Sequence, residues 1–104
     1  MQLQFTRAVG SGLVIGDAAG LVVEREGDSV VLACLPRKKS LRHKVKGGER
    51  IPIGNDQPVI MVVMGVGQDS VALGCESVPP GVDILRDEIR PDRFQALKRT
   101  RASA

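Results

Sequence analysis

The sequence predicts an all-β protein of two antiparallel sheets, each of four or five strands, with a short C-terminal helix. Three observations predict it. Hydrophobic residues make up 42% of the 104 positions but aromatics only 2%, so the core is aliphatic and its Val, Ile and Leu come in short runs. Glycine-containing turns break those runs at hairpin spacing. Finally, Asp28-Ser29-Val30-Val31-Leu32-Ala33-Cys34 returns as Asp69-Ser70-Val71-Ala72-Leu73-Gly74-Cys75, five of seven positions identical at an offset of 41 residues. A repeat of this kind is one supersecondary unit that buries its apolar face only against a partner.

In chain order, Leu3 to Arg7 reads as a first strand, and Val9-Gly10-Ser11-Gly12 as a turn whose glycines tolerate positive φ. Leu13 to Ile15 forms a second strand closed by Gly16-Asp17, and Leu21 to Glu24 a third. Glu26-Gly27-Asp28 is a hairpin turn, and Ser29 to Leu35 a fourth strand ended by Pro36. The pattern then recurs. Arg50-Ile51-Pro52-Ile53-Gly54-Asn55 matches the second strand, and Val59 to Gln68 matches the third with its turn. Ser77-Val78-Pro79-Pro80-Gly81 is a rigid turn. Arg90 to Lys98 reads as a short helix with Pro91 in its first turn and Ile89, Phe94 and Leu97 on one face. Residues 1–98 are thus one β domain of two repeats, about 1–43 and 42–98, and 99–104 are a flexible basic tail.

Charge and cysteine content narrow the function classes. Lys plus Arg is 15 against 12 for Asp plus Glu, a net charge of +3, which suits an anionic partner. Cations cluster at Arg37, Lys38, Lys39, Arg42, Lys44, Lys46 and Arg50, where Glu49 is the one acid. Cys34 and Cys75 have no CxxC spacing and stand on equivalent strands, so they read as small core residues. With one histidine, His43, no usual zinc spacing exists, and no cofactor is expected. The N-terminus lacks an apolar signal segment and no run reaches membrane-span length, so a cytoplasmic protein is expected. No acid–base pair, activated nucleophile or nucleotide loop is evident, so an enzyme is not expected.

The stretch that promises chemistry is Gly81-Val82-Asp83-Ile84-Leu85-Arg86-Asp87-Glu88-Ile89. It reads as a short strand delivering Arg86 at its end, followed by two acids that favour the start of a helical turn. Arginine offers a planar set of donors matching guanine O6/N7 or phosphate oxygens. A strand edge adds backbone groups that read bases in an unpaired loop. With Phe5 the one aromatic placed to stack, an aromatic platform for bases is not expected.

Three segments resemble, in order, the bacterial carbon storage regulator (CsrA/RsmA) family of RNA-binding translational regulators. They are Phe5-Thr6-Arg7-Ala8-Val9-Gly10 with Leu13-Val14-Ile15-Gly16-Asp17, then Gly65 to Gly74, then Pro80 to Ile89. The family chain has about half this length and forms an interlocked homodimer, so the resemblance implies such a dimer fused into one chain, a monomer acting as a pseudo-dimer. Fusion replaces association by an intramolecular contact at high effective concentration. The resemblance further implies binding to GGA-containing hairpin loops of mRNA leaders or small regulatory RNAs, as a translational repressor or a protector of transcripts. Carried over by position, Phe5, Thr6 and Arg7 of the first strand and Ile84, Leu85 and Arg86 of the last form the RNA site. Ala8 stands where the family has a second arginine, and His43 where copy one would have its last-strand arginine. Lys38, Lys39, Arg42, His43 and Lys44 form a candidate second basic site, or a solvated loop. The segment about Arg37–Lys46 falls where both a closing and an opening strand are required, so it serves both roles or one is lost. The rival reading is a protein-interaction module that acts on CsrA-type regulators or on their protein antagonists without binding RNA.

Overall fold

The structure, a computed structural model, describes residues 4–16, 19–36, 42–54 and 58–99. Nine strands and one helix follow in order: β1 (Gln4–Ala8), β2 (Gly12–Ile15), β3 (Ala19–Glu26), β4 (Ser29–Leu35), β5 (Arg42–Lys44), β6 (Arg50–Ile53), β7 (Val59–Val66), β8 (Ser70–Ser77), β9 (Ile84–Arg86) and α1 (Pro91–Arg99). They form two antiparallel sheets, one ordered β1-β8-β7-β6 and the other β5-β4-β3-β2-β9. The expected all-β class, two sheets and short helix are present. Val- and Ile-rich runs make the long strands because branched side chains pack well on a pleated face.

Each sheet is built around three consecutive strands of one repeat; the four-stranded sheet receives one strand from the other repeat and the five-stranded sheet two. β1 leaves its own half to pair with β8, with Phe5 opposite Leu73 and Arg7 opposite Val71. β5, at the head of the second repeat, pairs with β4, with Lys44 opposite Val31 and His43 opposite Leu32. β9 pairs with β2, with Val14 opposite Leu85. The crossovers repeat bond for bond. Gly10 N donates to Val23 O at 2.8 Å, and Val23 N to Ser11 O at 2.8 Å. Gly48 N donates to Val63 O at 2.7 Å, and Val63 N to Glu49 O at 2.8 Å. Gly10 and Gly48 have φ of 93° and 87°, a left-handed turn that glycine adopts without penalty.

The core lies between the sheets. Leu13, Ile15, Leu21, Val23, Leu32 and Cys34 of one sheet meet Ile51, Ile53, Met61, Val63, Val71, Leu73 and Cys75 of the other. A second cluster covers the outer face of the five-stranded sheet, where Phe94 and Leu97 of α1 pack on Val14, Val22, Ala33 and Leu35. That docking depends on two glycines. A Cβ on Gly12 would stand 2.9 Å from Phe94 Cε1, and one on Gly20 would stand 3.3 Å from Leu97 Cδ1. The equivalent positions of the other sheet, opposite Val62 and Pro52, hold Arg50 and Ile60, and no described helix covers its outer face.

Several expectations are corrected. The helix begins at Pro91 and takes in Arg99, while Ile89 lies outside it and is 54% exposed. Gly12 opens β2 instead of closing the preceding turn. Leu3, Asp17, Asn55 and the tail 100–104 lie outside the described residues, as do Arg37, Lys38 and Lys39. The segment 42–44 takes the opening-strand place of the second repeat, so His43 is the counterpart of Phe5. Among the described residues no strand takes the closing place beside β6. Pro52 gives a reason: it occupies the position equivalent to Val14 and has no N–H to offer a strand there.

Both cysteines are buried and free, and Cys75 S–H donates to Met61 Sδ at 3.6 Å. Burial pushes both thiols above their ordinary pKa. Raised folded-state values mean a contribution to stability that is complete below the ordinary thiol range and lost as pH rises through the folded values. Iodoacetamide at neutral pH is therefore expected to leave both cysteines unmodified in the native protein and to modify both in denaturant, read by intact mass. Modification of the native protein at the denatured rate would contradict this core placement.

Candidate nucleic-acid interface

The two ends of the fold meet at a seam between the edge strands β1 and β9. Alternation along β1 sets its parity: Phe5 and Arg7 point inward, and Gln4, Thr6 and Ala8 are exposed. Phe5 reaches the inter-sheet core. Arg7, one step on, lies at the mouth of the sandwich, with its side chain 16% exposed. On β9, Ile84 is buried in the same core, Leu85 is half-buried, and Arg86 is exposed at the strand end. The chain then turns at 87–89, with Ile89 N donating to Arg86 O at 2.9 Å.

Asp87 ties the seam together. Its Oδ1 accepts from Arg7 Nη1 at 3.0 Å and from Gly12 N at 3.2 Å, while its own N–H donates to Gly12 O at 3.1 Å. One carboxylate therefore joins β1, β2 and the turn after β9. Arg7 Nε also donates to Thr6 O at 2.9 Å, which fixes the plane of the guanidinium. Beyond Asp87, Glu88 Oε1 lies 3.9 Å from Arg7 Nη1 and 3.3 Å from Arg86 Nε. The two arginines singled out by sequence thus reach the same carboxylate.

Their environments differ, and the difference sorts their roles. The Arg7–Asp87 pair is shielded and hydrogen-bonded, so removing either member leaves a charge without its partner. The Arg86–Glu88 pair has side chains 51% and 59% exposed. Such a pair is worth about 0–1 kcal/mol, so a ligand displaces it readily. Arg86 is the seam's accessible cation, and Arg7 is its anchor. Strand alternation turns the N–H and C=O of Ile84 and the N–H of Arg86 to the edge of β9 away from β2. Leu85 lies between them on β9, and Thr6 is exposed on the outward face of β1. Phe5 and Ile84 are engaged in packing beneath.

The second basic cluster is elsewhere. β5 is the opposite edge strand of the five-stranded sheet from β9. Lys44 and Lys46 are exposed there, Arg42 and His43 are described by backbone pairing alone, and Lys38 and Lys39 lie outside the described residues. Val45 follows Lys44 at the step where Arg7 follows Thr6, and it packs on the core. Sequence reasoning missed Asp87 as the tie. Its acidic type pointed to a helix start, whereas its partners come from residues 75 and 80 positions away. Among the described residues no group of His, Cys, Asp and Glu could hold a metal ion, and no helix is long and apolar enough to cross a membrane. No family model, curated protein or solved structure matches the chain.

Proposed function

We propose that this protein is a non-enzymatic RNA-binding regulator of translation, a single-chain counterpart of a carbon storage regulator dimer, that grips a GGA-containing hairpin loop at the β1–β9 seam. The observation carrying this reading is that Arg7 and Arg86 approach one carboxylate, Glu88, at the junction of two open strand edges. Arg86 and the outward backbone groups of β9 supply donors and an acceptor for base edges, with Leu85 between them and Thr6 exposed on β1. Arg7, held by Asp87, positions the edge of β1. The exchange of β1, β5 and β9 between the repeats supports the fused-dimer reading, since each sheet draws on both repeats. Bound to an mRNA leader in the cytoplasm, the protein would compete with ribosomes.

Titration of labelled hairpins in a gel-shift assay tests this. A hairpin with GGA in its loop is expected to bind more tightly, by about 1–3 kcal/mol for each base read, than the same hairpin with the loop guanines changed. Equal binding of the two would remove the base-reading claim.

A second reading, a protein-interaction module acting on related regulators or their antagonists, draws on the outer face of the four-stranded sheet. There Ile60 and Val62 are half-buried and Met64 is 50% exposed, without a covering helix among the described residues. Pull-down of a protein partner that survives nuclease treatment would favour it; loss of the partner on nuclease treatment would favour RNA.

A further inference from the structure

The molecule is built from two repeats, but its two basic edges are not equivalent. We propose that the β5 edge, through Lys44 and Lys46, is a sequence-blind phosphate-binding surface that holds the backbone of the same RNA whose loop occupies the seam. The proposal rests on the RNA-binding reading above and assigns the second edge a different chemistry from the first.

The equivalence of β5 and β1 makes the contrast explicit. Both are edge strands paired on one side, to β4 and to β8. The seam has an arginine anchored by Asp87 on the first strand and an exposed arginine from the last strand, both within reach of Glu88. At β5 each part is replaced. Val45 stands in the place of Arg7 and packs into the core. No described strand lies beside β6 to bring the counterpart of Arg86, and Pro52 disfavours one. The cations whose side chains are described at the β5 edge, Lys44 and Lys46, are both lysines. An ammonium group is a point charge without the fork geometry that reads guanine, and it suits phosphate oxygens. Glu49, the acid nearest in sequence, is half-buried and accepts from Lys46 N at 3.0 Å, closing the turn. Arg42, at the start of the same strand, adds a further cation by sequence.

Spacing fits one RNA touching both edges. β5 and β9 close opposite sides of a five-stranded sheet, roughly 19 Å apart at ~4.8 Å per strand. The β5 contact is therefore assigned to a single-stranded flank and not to the loop held at the seam. The edge would then add affinity and rate without adding sequence preference.

The test uses the full chain and a Lys44→Gln/Lys46→Gln variant, both exposed positions. Three RNAs are titrated across a salt series: a minimal GGA hairpin, the same hairpin with a single-stranded flank, and the flanked hairpin with its loop guanines changed. The variant is expected to bind both flanked RNAs about tenfold more weakly at low salt, to the same degree, and to lower the slope of log K against log salt by about 1.4. Binding of the minimal hairpin is expected to be unchanged. An unaltered slope, or a loss confined to the GGA-containing RNA, would overturn the proposal. Wild-type protein that ignores the loop guanines but whose salt slope falls in the variant would refute base reading at the seam and leave the phosphate surface standing. Wild-type protein that binds none of the three would refute both.

Discussion

Replacing Gly12 by alanine is expected to lower stability by about 3 kcal/mol or more, because overpacking at a backbone–backbone contact has no side chain to yield. The position looks innocuous in sequence, where it trails a glycine-containing turn. In the fold it opens β2 opposite Val22. An added Cβ would lie well inside contact distance of the Leu21 carbonyl and 2.9 Å from Phe94 Cε1. Two structures then compete for one space: the β2–β3 ladder and the aromatic ring that covers it. Either β2 separates from β3, or α1 lifts from Val14, Val22, Ala33 and Leu35. The same substitution disturbs the seam, since Gly12 N and O hold Asp87. A thermal melt should show a midpoint lower by roughly 12 °C or more for a domain of this size. A midpoint within a few degrees of wild type would mean that α1 does not seat on Gly12.

Asp87→Ala is expected to destabilise by about 2 kcal/mol, the range for losing hydrogen bonds to a charged group that is largely but not wholly shielded. It removes the acceptor of Arg7 Nη1 and of Gly12 N together. The guanidinium of Arg7 would be left near Glu88 at 3.9 Å, a longer and more exposed contact. Asp87→Asn keeps an oxygen for Gly12 N and should cost less, about 1 kcal/mol. Chemical denaturation of the three proteins measures the order wild type, Asn, Ala. Equal stability of wild type and Asp87→Ala would show that β1 is not tied to the end of β9 through this carboxylate.

How much of this was legible in the sequence depended on whether a signal was local. The paired hairpins were legible because Asp28–Cys34 and Asp69–Cys75 carry the same valine, leucine and cysteine, and one strand period sets those three on one face. The C-terminal helix was legible from Phe94 and Leu97, three residues apart. β5 was legible by resemblance alone, as an opening strand within the Arg37–Lys46 segment, since Arg42-His43-Lys44 has no apolar alternation and owes its extended form to Val31, Leu32 and Ala33 beside it. Gly12 read as a turn residue and Gly20 carried no signal, yet their lack of a side chain makes room for Phe94 and Leu97 of a helix that arrives about 80 residues later. Arg7 and Arg86 were found by type and by resemblance to a family pattern. Their unequal exposure was not legible, because it is set by Asp87 bridging distant segments.

These unequal environments shape the functional account. An arginine held by a shielded aspartate gives a fixed strand edge, and an arginine in an exposed, exchangeable pair leaves its donor set open to solvent. One measurement tests this division at its centre: the affinity of a GGA-loop hairpin for wild type and for Arg86→Ala, with both proteins shown by melting to be equally folded. The account predicts binding weakened by about 1–3 kcal/mol in the variant, with most of the preference for loop guanines gone. An Arg86→Ala protein that binds the hairpin as tightly and as selectively as wild type would contradict it.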